Sequence, residues 1–455
     1  MLRVAVWRRF GIIGSGVVAL VLLLSVCGLP PDSRDDARPP VEVFGNPRVP
    51  DGPPEPALGV GLTHTRFSAD AGADPARERA AETLADGPMP QNQHLMGWGA
   101  ESPEPAPGRY DFASLDSRVA LMRRTGATPV ITLCCAPDWM KGGEAGTTDW
   151  DALETAPEPE HFADFADLAG RVARRYPDVR HFLVWNELKG FFDEERNRWD
   201  HEGYTELYNL VHAELERVRP DALVGGPYVV MDSLPPGDSP HASALRGAWG
   251  SVDRRSLDAV RYWNEHRRGA DFVVVDGSGY TKDGQSLPDE FAAVEKFAAV
   301  GRWVREETGL PLWWAEWYVE QPDAQDQRQG WSEPHRLAVQ AAALMAMAEG
   351  GAATALYWNP QRPKGACPGC LWRGTDRAED GGRALPMLDL LRRFRAAFPP
   401  GSRFEPVAGP SGGVARVLAD GATLLVVNTR DEEVEVRVDG RTLRLAPYAV
   451  RWQRR

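Results

Sequence analysis

The chain has 455 residues and a formal net charge of −13, with 52 Lys and Arg against 65 Asp and Glu. Apolar residues make up 43% and charged residues 26%, which is typical of a globular protein and argues against extensive disorder. The acidic balance also argues against a nucleic-acid partner, because a phosphate backbone attracts clustered Lys and Arg. This length fits two or three domains, or one α/β barrel with smaller additions.

The N-terminal residues have a pattern typical of export. Three arginines precede an apolar run from Phe10 to Val26, so residues 1–27 are predicted to be a signal or membrane-anchor segment. The run ends in Leu-Ser-Val-Cys, which is similar to a lipobox, although Val26 is larger than the residue that usually precedes its Cys. Residues 28–56 contain nine prolines and are predicted to be an extended linker. We therefore expect an exported protein, tethered at the cell surface or secreted, that meets the membrane only through this first segment.

Between residues 57 and 400, short apolar runs alternate with stretches of helical periodicity. The apolar runs are 58–63, 94–98, 129–134, 181–185, 222–225, 272–275, 312–315 and 354–357. Buried strands that alternate with amphipathic helices indicate a parallel sheet, and eight such units predict an α/β fold, the closed (β/α)8 TIM barrel. A doubly wound open sheet is the alternative, but no G-x-G-x-x-G turn follows the first predicted strand.

Residues 401–455 are predicted to be a small, β-sandwich-like antiparallel unit. The runs 414–418, 422–428, 432–438 and 442–448 alternate or are apolar, and Asp-Gly pairs mark turns. Because so short a segment buries little core of its own, we expect it to pack against the barrel.

The four cysteines beyond the N-terminal segment fall into two pairs. Cys134 and Cys135 lie in an apolar run and are interpreted as small buried hydrophobic side chains. Cys367 and Cys370 form a C-x-x-C in a loop, and a disulfide is predicted there, since a zinc site would need two further ligands and none lies nearby. No metal or organic cofactor is expected.

Two glutamates follow apolar runs at positions where a barrel places its active site. Glu187 ends the sequence His-Phe-Leu-Val-Trp-Asn-Glu, and Glu316 lies in Leu-Trp-Trp-Ala-Glu-Trp. The carboxyl ends of barrel strands meet at one face, so both side chains are expected there. Burial raises a carboxyl pKa and neighbouring groups push two such values apart, which suits one acid and one base. A carboxyl pair of this kind is what hydrolysis of a glycosidic bond requires.

The motifs around these glutamates resemble those of the clan A retaining glycoside hydrolases. Trp185-Asn186-Glu187 is similar to the clan's acid/base strand and Ala315-Glu316-Trp317 to its nucleophile strand. More narrowly, the chain resembles glycoside hydrolase family 39, whose members include β-xylosidases, α-iduronidases and exopolysaccharide endoglycosidases. Further similarity lies at 108–116, 128–140, 224–227 and 356–358, so that the resemblance spans roughly residues 57–400.

The resemblance implies a role for each matching residue. Glu187 would be the general acid/base and Glu316 the nucleophile, while Asn186 would hydrogen-bond the sugar 2-hydroxyl. Tyr280 would orient Glu316, and Trp358 would form a platform under the sugar ring. The implied activity is retaining hydrolysis of an extracellular poly- or oligosaccharide. The alternative is a carbohydrate-binding pseudoenzyme or a surface interaction module on the same barrel.

Three other residues are candidate substrate contacts. Trp139 follows the third predicted strand and could stack on a sugar, or it could belong to the core. Asp138 could accept sugar hydroxyls, or it could cap the next helix. In the family a Pro usually follows the acid/base glutamate, whereas here Leu188 and then Lys189 follow Glu187. Ser278, two residues before Tyr280, stands where the family often has a His. Both differences disfavour a standard β-xylosidase. Four of the five lysines follow predicted strands, which indicates either ordinary loop lysines or a positive rim for an anionic sugar.

Overall fold

The computed structural model describes residues 57–237, 239–321, 330–358, 360–407 and 413–455. The predicted signal or anchor segment and the predicted linker both lie outside these residues. Within the described part of the chain, no helix has the length and apolar character needed to cross a bilayer.

The described strands and helices are the following, in chain order. The strands are β1 (Gly59–Thr63), β2 (Gln91–His94), β3 (Pro129–Leu133), β4 (His181–Val184), β5 (Phe192–Asp193), β6 (Arg198–Trp199), β7 (Leu223–Val230), β8 (Ser233–Leu234), β9 (Ala242–Gly247), β10 (Gly250–Asp253), β11 (Phe272–Asp276), β12 (Leu312–Trp314), β13 (Ala352–Tyr357), β14 (Ala415–Ala419), β15 (Thr423–Asn428), β16 (Val434–Val438), β17 (Arg441–Leu445) and β18 (Val450–Arg454). The helices are α1 (Asp74–Ala85), α2 (Ala113–Arg124), α3 (Phe162–Arg175), α4 (His201–Val218), α5 (Arg254–His266), α6 (Glu290–Ala293), α7 (Glu295–Thr308), α8 (Glu333–Glu349) and α9 (Pro386–Ala397). Short 3₁₀ helices lie at Asp138–Met140, Trp150–Ala152 and Pro159–His161.

Eight parallel strands form one closed barrel, and helices connect them. The barrel strands are β1, β2, β3, β4, β7, β11, β12 and β13, paired in that order, and β13 closes the ring against β1. At least one helix lies between each pair of successive barrel strands, as a parallel connection requires. The predicted (β/α)8 barrel is therefore confirmed, and the fourth, sixth and seventh barrel strands are β4, β11 and β12.

The second barrel strand is displaced from its prediction, which placed it at 94–98. The strand is Gln91–His94, four polar residues that are all buried. A search for apolar runs cannot find such a strand, because its burial is compensated by hydrogen bonds and not by apolar area. Asn92, for example, donates to Thr63 Oγ1 at 3.2 Å and accepts from Thr132 Oγ1 at 3.0 Å.

The C-terminal residues form a small antiparallel unit that packs on the barrel, as predicted. Strands β14, β15 and β18 make one sheet, and β16 and β17 make a hairpin. The run 442–448, predicted as one strand, is divided between β17 and the turn before β18. The ring of Trp452 lies 5.9 Å from that of Phe398 after α9, and Arg416 forms a 2.7 Å ion pair with Glu295 on α7. The predicted boundary at residue 400 lies between α9 and β14.

Both cysteine pairs are joined in the structure. Cys134 and Cys135 are fully buried, as expected, but their sulfurs form a disulfide, which the interpretation as two hydrophobic side chains did not foresee. Cys367 and Cys370 are also paired, with Cα atoms 5.5 Å apart, and they close a short loop after β13.

Candidate active site

Three carboxyl groups converge at the carboxyl ends of the barrel strands. Glu187 follows β4, Asp276 ends β11 and Glu316 follows β12, and one oxygen of each lies within 4.8 Å of the others. Glu316 is 3% exposed and the Glu187 side chain 15% exposed. The two predicted catalytic residues are thus brought together.

Two tyrosine hydroxyls hold Glu316. Tyr228, near the end of β7, donates to Oε1 at 2.8 Å, and Tyr318 donates to Oε2. Burial and the negative charge of Glu187 raise the pKa of Glu316 to about 8, although both tyrosine hydrogen bonds act in the opposite direction. A pKa near 8 favours the protonated form of Glu316 at neutral pH.

Glu187 is in contact with a cation. The Nζ atom of Lys189 lies 2.6 Å from Oε2 of Glu187 and 2.6 Å from Oε1 of Glu154, which belongs to the loop between β3 and α3. Burial, the largest single effect, would raise the pKa of Glu187, but the charge of Lys189 and the hydrogen bonds with Asp276 and Lys189 together leave that pKa below its usual value. Burial likewise opposes the charge of Lys189, yet Glu187 and Glu154 raise the pKa of its ammonium.

Asp276 is a member of the site that the sequence analysis missed. It is 1% exposed, and no N–H or hydroxyl donor among the described residues reaches its oxygens, so its contact is a carboxyl–carboxyl hydrogen bond with Glu187. Burial, and then the charge of Glu187, raise the pKa of Asp276 well above its usual value. A charged residue directly after Val273-Val274-Val275 is the signal that could have identified it, since a carboxylate at a strand end faces the same opening as Glu187 and Glu316.

Asn186 and His94 lie beside Glu187, and the rings of Trp98 and Trp358 pack around His94. Asn186 is 2% exposed, donates to Glu154 Oε1 at 3.2 Å, and its Oδ1 lies 3.5 Å from Nε2 of His94. Burial lowers the pKa of His94 to about 3, so its ring is neutral. The rings of Trp98 and Trp358 meet edge to face at 6.0 Å, and His94 lies 4.2 Å from Trp98. Trp358 directly follows β13 and is half-buried, and its ring packs against that of Trp98.

The backbone near the carboxyl groups is strained at several positions. Trp98, Trp185, Glu187, Leu188 and Tyr228 have φ angles of 45°, 70°, 52°, 51° and 54°. Residues other than glycine rarely adopt this left-handed backbone conformation, and residues held in it cluster at functional sites. The strain places Glu187 and Tyr228 at strand ends in conformations that ordinary strand geometry would not provide.

Three further predicted residues lie in less direct positions. Asp138 is buried and its oxygens serve the loop after β3, where one accepts from the backbone N–H of Asp149 and the other lies 3.4 Å from Lys141 Nζ. The indole N–H of Trp139 donates to the Glu104 carbonyl at 2.9 Å. These contacts favour the structural alternative for Asp138 and Trp139. Tyr280 follows β11 and is half-buried, and its role beside Glu316 stays a prediction.

The rim lysines are paired with carboxylates. Lys141 lies near Asp138, and Lys282 lies 3.3 Å from Asp232 and 3.1 Å from Asp253. The lysines after β3, β4 and β11 therefore each face at least one carboxylate, and those after β4 and β11 face two.

A bound metal is not required to explain the three carboxyl groups. Oxygens within 4.8 Å could surround a cation, but the ammonium of Lys189 already lies 2.6 Å from Glu187 and compensates its charge. A second acidic group, Glu158, Glu160 and His161, lies on the surface before α3. Exposed acidic residues commonly lie together without an ion, so we assign no metal to either place.

Comparison with solved structures identifies the class of fold. A family 39 glycoside hydrolase from Bacteroides cellulosilyticus aligns with a TM-score of 0.55 at 14% identity, over 89% of this chain and 79% of that one. A family 39 β-xylosidase from Caulobacter crescentus aligns at 0.52 and 16%, over 85% and 80%. An exported protein from Bacteroides fragilis aligns at 0.57 and 13%, over 85% and 90%. The chain therefore has the same barrel fold as family 39 glycoside hydrolases of known structure.

Sequence comparison adds one match, and it is confined to the C-terminal unit. Residues 412–453 match the model of the D-apionate lactonase C-terminal immunoglobulin-like domain. No curated protein sequence matches the chain. Because the matched segment is far shorter than the barrel, it describes the small β-unit only.

Proposed function

We propose that this protein is a retaining glycoside hydrolase that cleaves O-glycosidic bonds of an extracellular poly- or oligosaccharide. The observation that carries the proposal is the approach of the Glu187 and Glu316 carboxyl groups to within 4.8 Å on the ends of two barrel strands. The similar barrel of family 39 enzymes supports it. The partner is then a carbohydrate, bound beside Trp98 and Trp358.

The reaction would proceed in two steps. Protonated Glu187 donates its proton to the glycosidic oxygen while ionised Glu316 attacks the anomeric carbon, so the leaving sugar departs and a glycosyl ester forms on Glu316. Glu187, now ionised, then removes a proton from water, and the resulting attack on the anomeric carbon releases the sugar and regenerates Glu316. Tyr228 and Tyr318 stabilise the ionised form of Glu316 that the first step needs.

A second candidate is hydrolysis of a sugar lactone. Two observations favour it. Residues 412–453 match a lactonase domain, and the pKa of Glu187 lies below its usual value, which favours the ionised carboxylate. Glu187 would remove a proton from water, which attacks the lactone carbonyl, while protonated Glu316 would donate to the ring oxygen as the ester bond breaks. The product is the open-chain hydroxy acid.

An assay that follows both chemistries tests the proposal. The full chain is screened on aryl glycosides, extracellular polysaccharides and aldonolactones, with Glu316→Gln as the blank and the exposed Glu265→Gln as the matched control. A 2-deoxy-2-fluoro aryl glycoside of the accepted sugar should leave a glycosyl group on Glu316, located by mass spectrometry of the peptides. Turnover of lactones with no glycosidase activity would favour the second candidate instead.

Two results would reject both enzymes. Binding of oligosaccharides without turnover of any substrate would point to a carbohydrate-binding pseudoenzyme. A release rate that Glu316→Gln leaves unchanged would show that the observed hydrolysis does not use this site. Export and tethering stay predictions of the N-terminal sequence, and fractionation of cells that produce Cys27→Ala and the unchanged chain tests them.

A further inference from the structure

The pairing of Lys189 with Glu187 opposes the first step of glycoside hydrolysis. A general acid must carry a proton, but an ammonium at 2.6 Å favours the ionised carboxylate. In the sequence, Lys189 stands two residues after the acid/base position, so the ion pair is built by the same segment that supplies the acid. The ion pair therefore favours ionised Glu187, which the second step needs, over the protonated form that the first step needs.

The groups facing Glu187 explain why its proton is elsewhere. His94, on β2, is neutral and contributes no charge at pH 7. Asp276 and Glu316 approach from β11 and β12, and burial beside the negative Glu187 raises the pKa of both, that of Glu316 to about 8. Glu154 contributes a further carboxylate that shares Lys189. A proton that moves from Glu316 to Glu187 would prepare both residues for the first step.

Lys189 is the group through which a substrate could cause that transfer. Its side chain is 40% exposed, whereas Glu187 is 15% and Glu316 3% exposed. An anionic group that enters the site meets the ammonium before it meets the catalytic pair. Once the ammonium contacts that anion, the positive charge that favours ionised Glu187 is shared, and the added negative charge itself favours a proton on Glu187.

We propose that Lys189 binds an anionic substituent, such as a carboxylate or a sulfate ester, of the glycan next to the bond that is cleaved, and that this contact makes Glu187 a proton donor. The proposal rests on the proposed glycosidase function. Lys189 then determines specificity through catalysis as well as through affinity. Neutral glycans leave the ion pair intact and are cleaved slowly. Anionic glycans contact Lys189 and thereby favour the protonated form of Glu187.

Anion binding at Lys189 is the first test, and it needs no turnover. Binding of glucuronate, glucose 6-sulfate and glucose to the full chain is measured by calorimetry at pH 7. We expect both anionic ligands to bind at least 10-fold more tightly than glucose, with little net proton uptake because the proton passes from Glu316 to Glu187. Lys189→Met should remove the preference for the anions, while the exposed Arg196→Met should leave it unchanged. Equal affinities for glucose and glucuronate, or a preference that Lys189→Met does not reduce, would overturn the proposal.

Kinetics supply the second test, with a matched pair of leaving groups. The 3-carboxyphenyl and 3-carbamoylphenyl glycosides of the accepted sugar differ in charge but hardly in size. Lys189→Met should lower kcat/KM on the carboxylate at least 10-fold, raise kcat on the neutral partner, and extend its activity to higher pH. Lys189→Arg should keep the preference for the anion. Equal losses on both substrates would mean that Lys189 is only structural and would refute the proposal.

The two tests separate the two levels of inference. A chain that hydrolyses neither glycoside but still prefers anionic ligands through Lys189 retains the anion site and loses the hydrolase. A chain that hydrolyses both with no dependence on Lys189 retains the hydrolase and loses the anion site.

Discussion

The hydroxyl of Tyr228 donates a 2.8 Å hydrogen bond to Oε1 of Glu316, so that the fifth and seventh barrel strands meet at one carboxyl group. Both residues are buried, and burial together with the charge of Glu316 raises the pKa of the phenol far above its usual value. The phenol of Tyr228 therefore stays protonated and remains a donor. Its hydrogen bond is strongest when Glu316 is ionised.

Removal of this donor should weaken the nucleophile. Tyr228→Phe is expected to lower kcat by about 10- to 100-fold, since a hydrogen bond to a charged group contributes about 1.5–3 kcal/mol. The loss of a group that lowers the pKa of Glu316 should also shift the acidic limb of the pH–rate profile upward. The measurement is kcat/KM between pH 4 and 9, with Tyr262→Phe as the control. An unchanged acidic limb would contradict the assignment of that limb to Glu316.

Glu316 should make the protein less stable as the pH rises. Its pKa is about 8 in the folded chain and near 4.5 in an unfolded one, so the folded state binds more protons between these values. The free energy of unfolding therefore falls from about pH 4.5 to pH 8 through this group. Glu316→Gln removes the titration, so its stability relative to the unchanged chain should increase across that interval. Denaturant unfolding at pH 5 and pH 8 measures the difference, and a constant difference would show that Glu316 does not titrate there.

The dependence on the leaving group should identify the general acid. Glu187→Gln is expected to lower activity about 10²- to 10⁴-fold on substrates with poor leaving groups. On 2,4-dinitrophenyl glycosides the first step needs no protonation, so that step should be nearly unaffected. Pre-steady-state release of dinitrophenol measures the first step, and azide should accelerate the second. Equal losses for both kinds of leaving group would assign Glu187 another role.

A buried ion pair near the site should control stability and not chemistry. Arg336 on α8 donates to both oxygens of Glu320 at 2.6 and 2.9 Å, and their side chains are 7% and 8% exposed. Arg336→Met leaves the carboxylate buried without its partner and should cost about 3–5 kcal/mol of unfolding free energy. Arg444→Met removes an exposed pair and should cost under about 1 kcal/mol. Urea unfolding of the two variants compares them, and equal costs would contradict this account.

Much of the fold was accessible from the sequence because most barrel strands are apolar. Strands such as β3 and β11 are buried on both faces, so that their composition alone marks them. The polar strand β2 was misplaced for the same reason, since burial there is compensated by hydrogen bonds between side chains. The short strands β5, β6, β8, β9 and β10 belong to loops after β4 and β7, where local patterns carry little information.

The pair Glu187 and Glu316 could be found in the sequence because each follows an apolar strand and lies in a motif that resembles a known one. Tyr228 and Tyr318 could not, because their role depends on a meeting of strands that only the closed barrel creates. Asp276 carried a usable signal at its strand end. The ion pair between Lys189 and Glu187 depends on the left-handed backbone at Glu187 and Leu188, which no sequence pattern specifies.

The polar side chains of β2 have a consequence for how the barrel assembles. Asn92 bridges Thr63 on β1 and Thr132 on β3, and Oε1 of Gln91 accepts a 2.9 Å hydrogen bond from Nε2 of His64. A slip of one residue would turn these amides outward and leave their partners buried and unpaired, whereas apolar side chains would tolerate a slip far better. These hydrogen bonds between amides and hydroxyls therefore favour a single register for the first three strands. The register of the other five strands must agree with it for the barrel to close.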